Sequence, residues 1–218
     1  MQPISVTVGP LTSASANNIA LSQTVTGASS VVLNGSLVSG GVATLDTPRQ
    51  VLITNVGNDS GITFTVTGTT FYGNTVSQTV QGTSGSTVAT TVDFATVTSI
   101  TTSGSTSVSG ITVGTNAIAG SRWVRFDDFA PGQITVQVDV SGTANYSVQT
   151  TLDDPNDPFS PVAINSVVWL SALDTNLVSQ SSNKSGYIAY APKYGRILLN
   201  SGSGSATVTF LQSSNGPI

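Results

Sequence analysis

Apolar and polar residues alternate along most of this chain with a period of two. The clearest case is GITFTVTG at 61–68, where Ile62, Phe64 and Val66 share one side and threonines occupy the other. Such alternation is typical of an antiparallel strand with one buried and one solvated face. The same pattern returns in QITVQVDVSG, ANYSVQTTL and SATVTFLQ in the second half of the chain.

Turn-forming residues separate these stretches at the intervals that are typical of β-sandwiches and barrels. In VVLNGSLV, the Asn34-Gly35 pair predicts a two-residue type I′ hairpin. The least regular stretch, PVAINSVVWLSALDTNLVS, is compatible with a short helix. In the first half, the pattern predicts strands near 4–8, 19–25, 30–33, 36–45, 49–55, 61–69, 75–81, 87–93, 96–103 and 107–113.

A change of composition at VGTNAIAGSRW predicts a domain boundary. Residues 1–118 contain a single base, Arg49, three Asp and no Trp, whereas the remaining residues contain five bases, seven Asp and both tryptophans. The sequence therefore predicts an all-β protein with two tandem antiparallel β-sandwich domains, 1–118 and 119–218. Each is expected to be of the jelly-roll or Ig-like type.

Charged residues make up only 7% of the chain, and 32 Ser and 32 Thr take their place. A net charge of −4 without a Lys/Arg cluster cannot neutralise a row of phosphates, so we expect no nucleic-acid partner. The absence of Cys excludes disulfides and thiolate ligands. No apolar run approaches the length of a membrane span and no leader pattern begins the sequence, so we expect a soluble protein without a membrane partner.

Candidate chemistry is sparse because the chain contains no His, Cys or Glu. The Ser-His-Asp triad, Cys-His pairs and the usual zinc ligand sets are therefore impossible. Asp127 and Asp128 are adjacent and would point to opposite faces of a strand, which argues against a glycosidase pair. Pairing of either residue with Asp153 or Asp154 stays open. The sequence predicts no catalytic residue, no cofactor and no enzyme activity.

The densest acidic stretch is LDDPNDPF, which contains Asp153, Asp154 and Asp157. Three carboxylates this close could hold Ca²⁺, although the EF-hand spacing with its Gly and distal Glu is missing. A proline-shaped turn capped by Asp side chains is the favoured interpretation. The sequence therefore predicts no metal site here.

Two aromatic stretches, SRWVRFDDF and SGYIAYAPKYG, are candidates for a partner-binding surface. Trp and Arg are favoured at binding hot spots, and the first stretch combines them. The simpler interpretation places the aromatic residues of this first stretch in the core of the second sandwich. The candidate interface residues are Trp123, Arg125, Phe129, Tyr187, Tyr190 and Tyr194.

The runs NNIALSQTVTGASSVVLNGSLVSGGVATLDTPRQVLITNVGNDSGITFTVTG and DFATVTSITTSGSTSVSGITVGTNAI resemble segments that recur in virion proteins of tailed bacteriophages and prophages. SRWVRFDDF, VSGTANYSVQTTLDDPNDPF and GRILLNSGSGSATVTFLQ are similar to the same family, so the resemblance covers nearly all of the chain. It implies a virion structural protein that is made in the host cytoplasm. The resemblance identifies no functional residue in this chain.

Within a virion, two positions are open. The first is a capsid decoration or cement protein on the head, which binds the major capsid protein or other virion proteins and self-associates, with a trimer favoured. The alternative is a tail fibre or adaptor component, or a receptor-binding module that contacts host glycan through exposed aromatic residues. Long strands of low charge aggregate unless their edges are covered, which favours an assembled state over a free monomer.

Overall fold

The computed structural model describes residues 2–128 and 133–212, and its strands pair antiparallel. This confirms the all-β prediction. The strands are β1 (Ile4–Val8), β2 (Ser15–Gln23), β3 (Val38–Ser39), β4 (Val42–Asn55), β5 (Thr63–Thr69), β6 (Thr75–Gln81), β7 (Thr87–Ala89), β8 (Phe94–Thr102), β9 (Ile111–Gly120), β10 (Val124–Arg125), β11 (Ile134–Ser141), β12 (Ala144–Thr151), β13 (Leu170–Ser171), β14 (Lys184–Ile188), β15 (Tyr194–Gly202) and β16 (Ser205–Gln212).

The stretch that was compatible with a helix forms no α-helix. It contains two 3₁₀ turns, Ile164–Ser166 and Thr175–Leu177, and the short strand β13 between them. The carboxylate of Asp174 caps the second turn by accepting from the N–H of Asn176. In the described part of the chain, no helix has the length and apolar character needed to cross a bilayer.

The chain divides into two compact units. We call Thr12–Ala117 the inserted unit, because its sequence lies between the two parts of the other, the terminal unit, which comprises Met1–Leu11 and Ile118–Ile218. The predicted segments 1–118 and 119–218 differ from these units by Ile118 and, mainly, by the first eleven residues. Those residues belong with the second half because β1 pairs with β16 along its whole length.

The terminal unit is sandwich-like and has two sheets around one core. One sheet has the order β1-β16-β11-β14, and in the other β15 pairs with β12, with β10 and with the end of β9, while β13 forms an edge on β12. Alternate residues of β11 and β16 point inward, as their sequences predicted. The core includes Val6, Val8, Ile134, Val136, Val138, Tyr146, Val148, Ile197, Leu199, Val208 and Phe210.

A close approach in this core requires a glycine. Phe126 and Phe210 meet edge to face, with ring centroids 5.2 Å apart. A Cβ at Gly195 would lie 2.8 Å from the Phe126 ring and 3.1 Å from the Phe210 ring. Any larger residue at 195 would therefore force the two rings apart.

The inserted unit is built around the long strand β4, which pairs with β3, β7 and β8. Beyond β8 follow β5 and β6, which pair over seven residues without a break in register. Phe64 and Val66 of β5 are buried, whereas Thr63, Thr65 and Thr67 are partly exposed. The alternation predicted for this strand is therefore confirmed.

The prediction of a hairpin turn at Asn34-Gly35 is wrong. The turn that joins β3 to β4 is made by Gly40 and Gly41, whose φ angles of 60° and 82° suit a two-residue hairpin. Asn34 and Gly35 instead donate their N–H groups to the carbonyl oxygen of Ile19. The pair therefore fastens this segment to β2 and does not reverse the chain.

Among the residues that the structure describes, Arg49 has the largest fully buried side chain. Its Nη2 lies 2.8 Å from a carboxylate oxygen of Asp46 and 2.7 Å from the carbonyl oxygen of Thr12, and its Nη1 donates to the carbonyl oxygen of Asn116 at 3.3 Å. Burial lowers the pKa of Arg49, and the charge of Asp46 opposes that shift. The guanidinium thus ties together the first residue and the penultimate residue of the inserted unit.

Candidate interaction surface

No catalytic constellation emerges from the described residues. The chain contains no His, Cys or Glu, and within 2–128 and 133–212 no three acidic side chains converge as a metal site would require. Both units expose single apolar side chains, such as Tyr72 and Val108 in the inserted unit, and three further features of the terminal unit depart from the hydroxyl-rich surface. They are a charge network, an aromatic cluster and an exposed apolar segment.

The acidic stretch LDDPNDPF forms a turn in which carboxylates accept hydrogen bonds from the main chain. Asp154 and Asp157 each accept from the N–H two residues later, at 2.8 Å in both cases. Asp153 accepts from the N–H of Val168 at 2.7 Å, which fastens the turn to a later part of the chain. Backbone N–H donors hold the pKa of Asp157 below its ordinary value. These carboxylates therefore act as caps of the turn.

A charge network connects this turn to β10. Nη2 of Arg125 lies 3.5 Å from a carboxylate oxygen of Asp128 and 3.7 Å from one of Asp154. Nζ of Lys193 lies 2.8 Å from the same Asp128 oxygen, and this hydrogen bond raises the pKa of the lysine. Asp128 and Asp154, one of the pairings that the sequence left open, thus both contact Nη2 of Arg125. Arg125 is 56% exposed and retains donors for an external polar group.

An aromatic cluster lies on the outer face of the sheet that contains β15. The rings of Trp123 and Trp169 pack edge to face with centroids 5.0 Å apart, and Trp123 meets Tyr194 at 5.8 Å. The guanidinium of Arg196 stacks over Trp169 at 4.4 Å. Tyr194 and Arg196 alternate along β15 with the inward-facing Gly195 and so point away from the core. The cluster covers a sheet face that would otherwise be open to solvent.

Tyr194 joins the aromatic cluster to the acidic turn. Its hydroxyl donates to a carboxylate oxygen of Asp154 at 2.9 Å and accepts from the side-chain amide of Asn156 at 3.0 Å. Burial raises the pKa of this tyrosine, and the hydrogen bond to Asp154 raises it further. Tyr194 is therefore a buried connector that holds the turn against the sheet.

The segment 152–173 exposes five large apolar side chains. They belong to Leu152, Phe159, Val168, Leu170 and Leu173, with exposed fractions of 69%, 95%, 60%, 63% and 80%. The sequence indicated here an acidic turn followed by a stretch compatible with a short helix, and it predicted neither the exposed apolar side chains nor the contacts of Trp169, because the segment has no regular strand pattern. Single exposed apolar residues are ordinary, and five within one segment make it a candidate binding surface.

The six predicted interface residues occupy different places. Trp123, Arg125 and Tyr194 are brought together by the contacts described above. Tyr187 is 50% exposed on the edge strand β14 of the other sheet, and Tyr190 packs partly against the core. The hydroxyl of Tyr190 is 2.6 Å from that of Thr150. Phe129 lies outside the described residues.

The terminal unit therefore combines aromatic, charged and exposed apolar side chains in one stretch of chain, from 123 to 196. No protein-family model matches the sequence, and neither a curated protein nor a solved structure matches it. Any function is accordingly a proposal that rests on the sequence and on the residues described above.

Proposed function

We propose that this protein is a structural component of a tailed-phage virion, and specifically a capsid decoration or cement protein that stabilises the head lattice. The observation that carries the proposal is the exposed apolar segment 152–173, set in a weakly charged β protein without catalytic residue types. The likeness of the sequence to phage virion proteins supplies the setting. The segment supplies the surface that would bind a neighbouring subunit.

The segment is well suited to binding because hydrogen bonds already fix its shape. The N–H of Val162 donates to the carbonyl oxygen of Asp154 at 3.1 Å, and the N–H of Ala172 donates to that of Val148 at 2.9 Å. Residues that are ordered before binding lose little conformational entropy when they bind. The apolar side chains of Phe159 and Leu170 can then contribute most of their burial to affinity.

The remaining parts of the proposal follow from composition and symmetry. Each unit is proposed to be a jelly-roll or Ig-like sandwich, and the assembled state to be a homo-oligomer, with a trimer favoured. Contacts repeated over a symmetric lattice gain avidity that a single contact lacks. Because few charges take part, attachment to the major capsid protein should tolerate salt. The protein would act without catalysis, nucleic acid or membrane, in the virion after synthesis in the host cytoplasm.

The copy number in purified particles tests the position in the virion. A decoration protein is present in numbers that match the head lattice, and heads that lack it assemble but release their genome under heat or osmotic shock. Quantitative mass spectrometry of particles, with and without the gene, measures both. If heads that lack the protein are equally robust while adsorption to host cells collapses, the tail position replaces this proposal.

Substitutions in segment 152–173 test the binding surface. Leu170→Asp and Phe159→Ser should each weaken attachment to undecorated heads by about thirtyfold, which corresponds to a hot spot of ~2 kcal/mol. Neither change should lower the thermal stability of the free protein. Val108→Asp is the matched control, because Val108 is 95% exposed but lies in the inserted unit. Normal attachment of both variants would contradict the proposal.

The tail fibre or adaptor alternative has one observation in its favour. Trp123 is only partly buried and lies near the exposed Arg125, so an aromatic ring and polar donors are available to a sugar. Under this alternative, Trp123→Ala should abolish binding of the purified protein to host cells or to isolated host glycan. Attachment to heads would be unchanged by the same substitution.

A further inference from the structure

Three loops of the inserted unit meet at one place and hold one another by hydrogen bonds. The loops span 56–62, 82–86 and 103–110, and Asn55 is the last residue of β4 before the first of them. The N–H of Asp59 donates to the carbonyl oxygen of Thr83 at 2.9 Å, and the N–H of Ser107 donates to Oδ1 of Asp59 at 2.6 Å. A side chain at Gly82 would collide with the carbonyl oxygen of Asp59, so the loops are closely packed.

Two residues that are both hydrogen-bonded to Thr83 each have a buried side-chain oxygen without a hydrogen-bond partner. These oxygens are Oδ2 of Asp59 and Oδ1 of Asn55, in residues that are only 2% and 1% exposed. The orientation of the Asn55 amide is fixed, because its Nδ2 donates to the Thr83 hydroxyl and that hydroxyl donates to the carbonyl oxygen of Ser86. A buried acceptor without a donor costs free energy, so such oxygens call for a ligand.

The ligand must also offset a charge. The carboxylate of Asp59 is buried, and a buried charge is strongly unfavourable unless it is paired. The inserted unit contains one base, Arg49, whose guanidinium binds Asp46. Water molecules could donate to these oxygens, but they would leave the negative charge without a partner. A cation satisfies the oxygens and the charge together.

We propose that Asp59 and Asn55 bind Ca²⁺ in the inserted unit. Carboxylate and amide oxygens are ligands that Ca²⁺ takes in irregular loops, with carbonyl oxygens and water completing its six to eight contacts. Mg²⁺ fits less well because it demands near-octahedral geometry. A site with a single carboxylate is weak, so we expect a dissociation constant of about 10⁻⁴ to 10⁻³ M, as in extracellular modules. This inference does not depend on the proposed function.

Thermal unfolding of the full chain during a Ca²⁺ titration tests the site. After treatment with a chelator, the midpoint of unfolding should rise by about 3 to 6 °C at saturating Ca²⁺, because the cation binds the folded state alone. Isothermal titration calorimetry should give the same dissociation constant. Mg²⁺ and Na⁺ at the same concentrations should produce a smaller rise.

Matched variants assign the effect to these residues. Asp59→Asn keeps the shape of the side chain and should abolish the response to Ca²⁺. Asn55→Asp adds a second carboxylate, so it should lower the unfolding midpoint without Ca²⁺ and tighten Ca²⁺ binding about tenfold or more. Asn58→Asp is the control, because it adds the same charge in the same loop at an exposed position. It should leave the Ca²⁺ response of the wild type unchanged.

Two results would overturn the inference. One is the absence of any Ca²⁺-dependent rise in the wild type, and the other is an equal rise in Asp59→Asn. These measurements use the isolated chain. Their failure is therefore separable from a failure of the decoration proposal, which is measured as copy number and attachment in particles.

Discussion

Both units have exposed β-sheet faces with few charges and many hydroxyl groups, but they differ in the other side chains on their surfaces. In the inserted unit, hydroxyl groups on neighbouring strands form hydrogen bonds on the solvent-facing side of the sheet, as those of Thr65 and Thr79 do at 2.9 Å. The terminal unit has equivalent pairs, such as Thr7 with Thr207 at 2.8 Å. Only the terminal unit adds tryptophans and the exposed segment 152–173. A candidate binding region is therefore indicated by the tryptophans and the exposed apolar segment, and not by the hydroxyl-rich faces that both units share.

The arginines of the two units show the same difference. Arg49 of the inserted unit is buried and binds main-chain carbonyls, so its role is to hold the fold together. Arg125 of the terminal unit is exposed and makes two long contacts to carboxylates. We therefore expect substitution of the buried Arg49 and of the exposed Arg125 to have very different effects on the free energy of unfolding.

Deletion of the first eleven residues should cause the largest loss of stability, and it should affect the terminal unit. Their removal takes Val6, Val8 and Leu11 out of the core of the terminal unit and exposes the edge of β16. Each buried side chain contributes about 1.5 to 3 kcal/mol, so the terminal unit should lose more than ~5 kcal/mol of unfolding free energy. Both tryptophans lie in that unit, and their fluorescence during denaturation measures the loss. An unchanged fluorescence transition would show that the first eleven residues do not belong with the second half.

The corresponding test in the inserted unit is Phe64→Ala. Phe64 is fully buried in β5, and truncation of such a residue costs about 3 to 5 kcal/mol. Thr65→Ala on the opposite face should cost less than ~1 kcal/mol, because it removes only a partly exposed hydroxyl pair. Urea denaturation followed by circular dichroism compares the two variants. Equal losses would mean that the two faces of β5 are not distinguished by burial.

These two tests also separate what the sequence could predict from what it could not. The alternation around Phe64 is a local signal, and the structure follows it. The pairing of β1 with β16 joins residues 200 positions apart, and no local pattern at ISVTV indicates its partner. Local alternation reports which face of a strand is buried, but not which strand covers it.

The aromatic cluster shows the same limit. Trp123 was a candidate because Arg and Phe surround it in sequence, but Trp169 and Arg196 complete its environment from distant positions. Asn34-Gly35 has ideal hairpin chemistry, yet the neighbouring strand β2 takes up both N–H groups. Turn propensity is thus overridden where a tertiary partner offers hydrogen bonds. The burial of Arg49 could not be predicted either, since an isolated base in a polar stretch is ordinarily exposed.

A smaller difference in the free energy of unfolding is expected between substitutions of the two arginines. Arg49→Met removes a buried charge but leaves the carbonyl oxygens of Thr12 and Asn116 without their donor, so we expect a loss of about 2 to 4 kcal/mol. Arg125→Met should change stability by less than ~0.5 kcal/mol, because exposed ion pairs contribute little. Denaturant melts of both variants measure the difference. A stabilised Arg49→Met would show that the desolvation of the guanidinium outweighs its hydrogen bonds.

The smallest effect concerns alkaline pH and the terminal unit. Burial, aided by the charge of Asp139, raises the pKa of Tyr146 from 10.0 to about 12. A raised pKa means that the unfolded state releases its proton first, so stability is constant below pH 10 and falls by about 2 to 3 kcal/mol between pH 10 and 12. Tyr194 shifts in the same direction and adds to the loss.

Tyrosine substitutions locate this alkaline loss. Tyr146→Phe should remove most of it, whereas Tyr72→Phe in the inserted unit should not, because Tyr72 is 55% exposed. Unfolding of each variant, followed by tryptophan fluorescence at several pH values from 8 to 12, measures the effect in the terminal unit. If Tyr146→Phe lost stability over the same pH range as the wild type, the alkaline sensitivity would have to come from other groups. The contrast between the units would then rest on the arginines and the aromatic cluster alone.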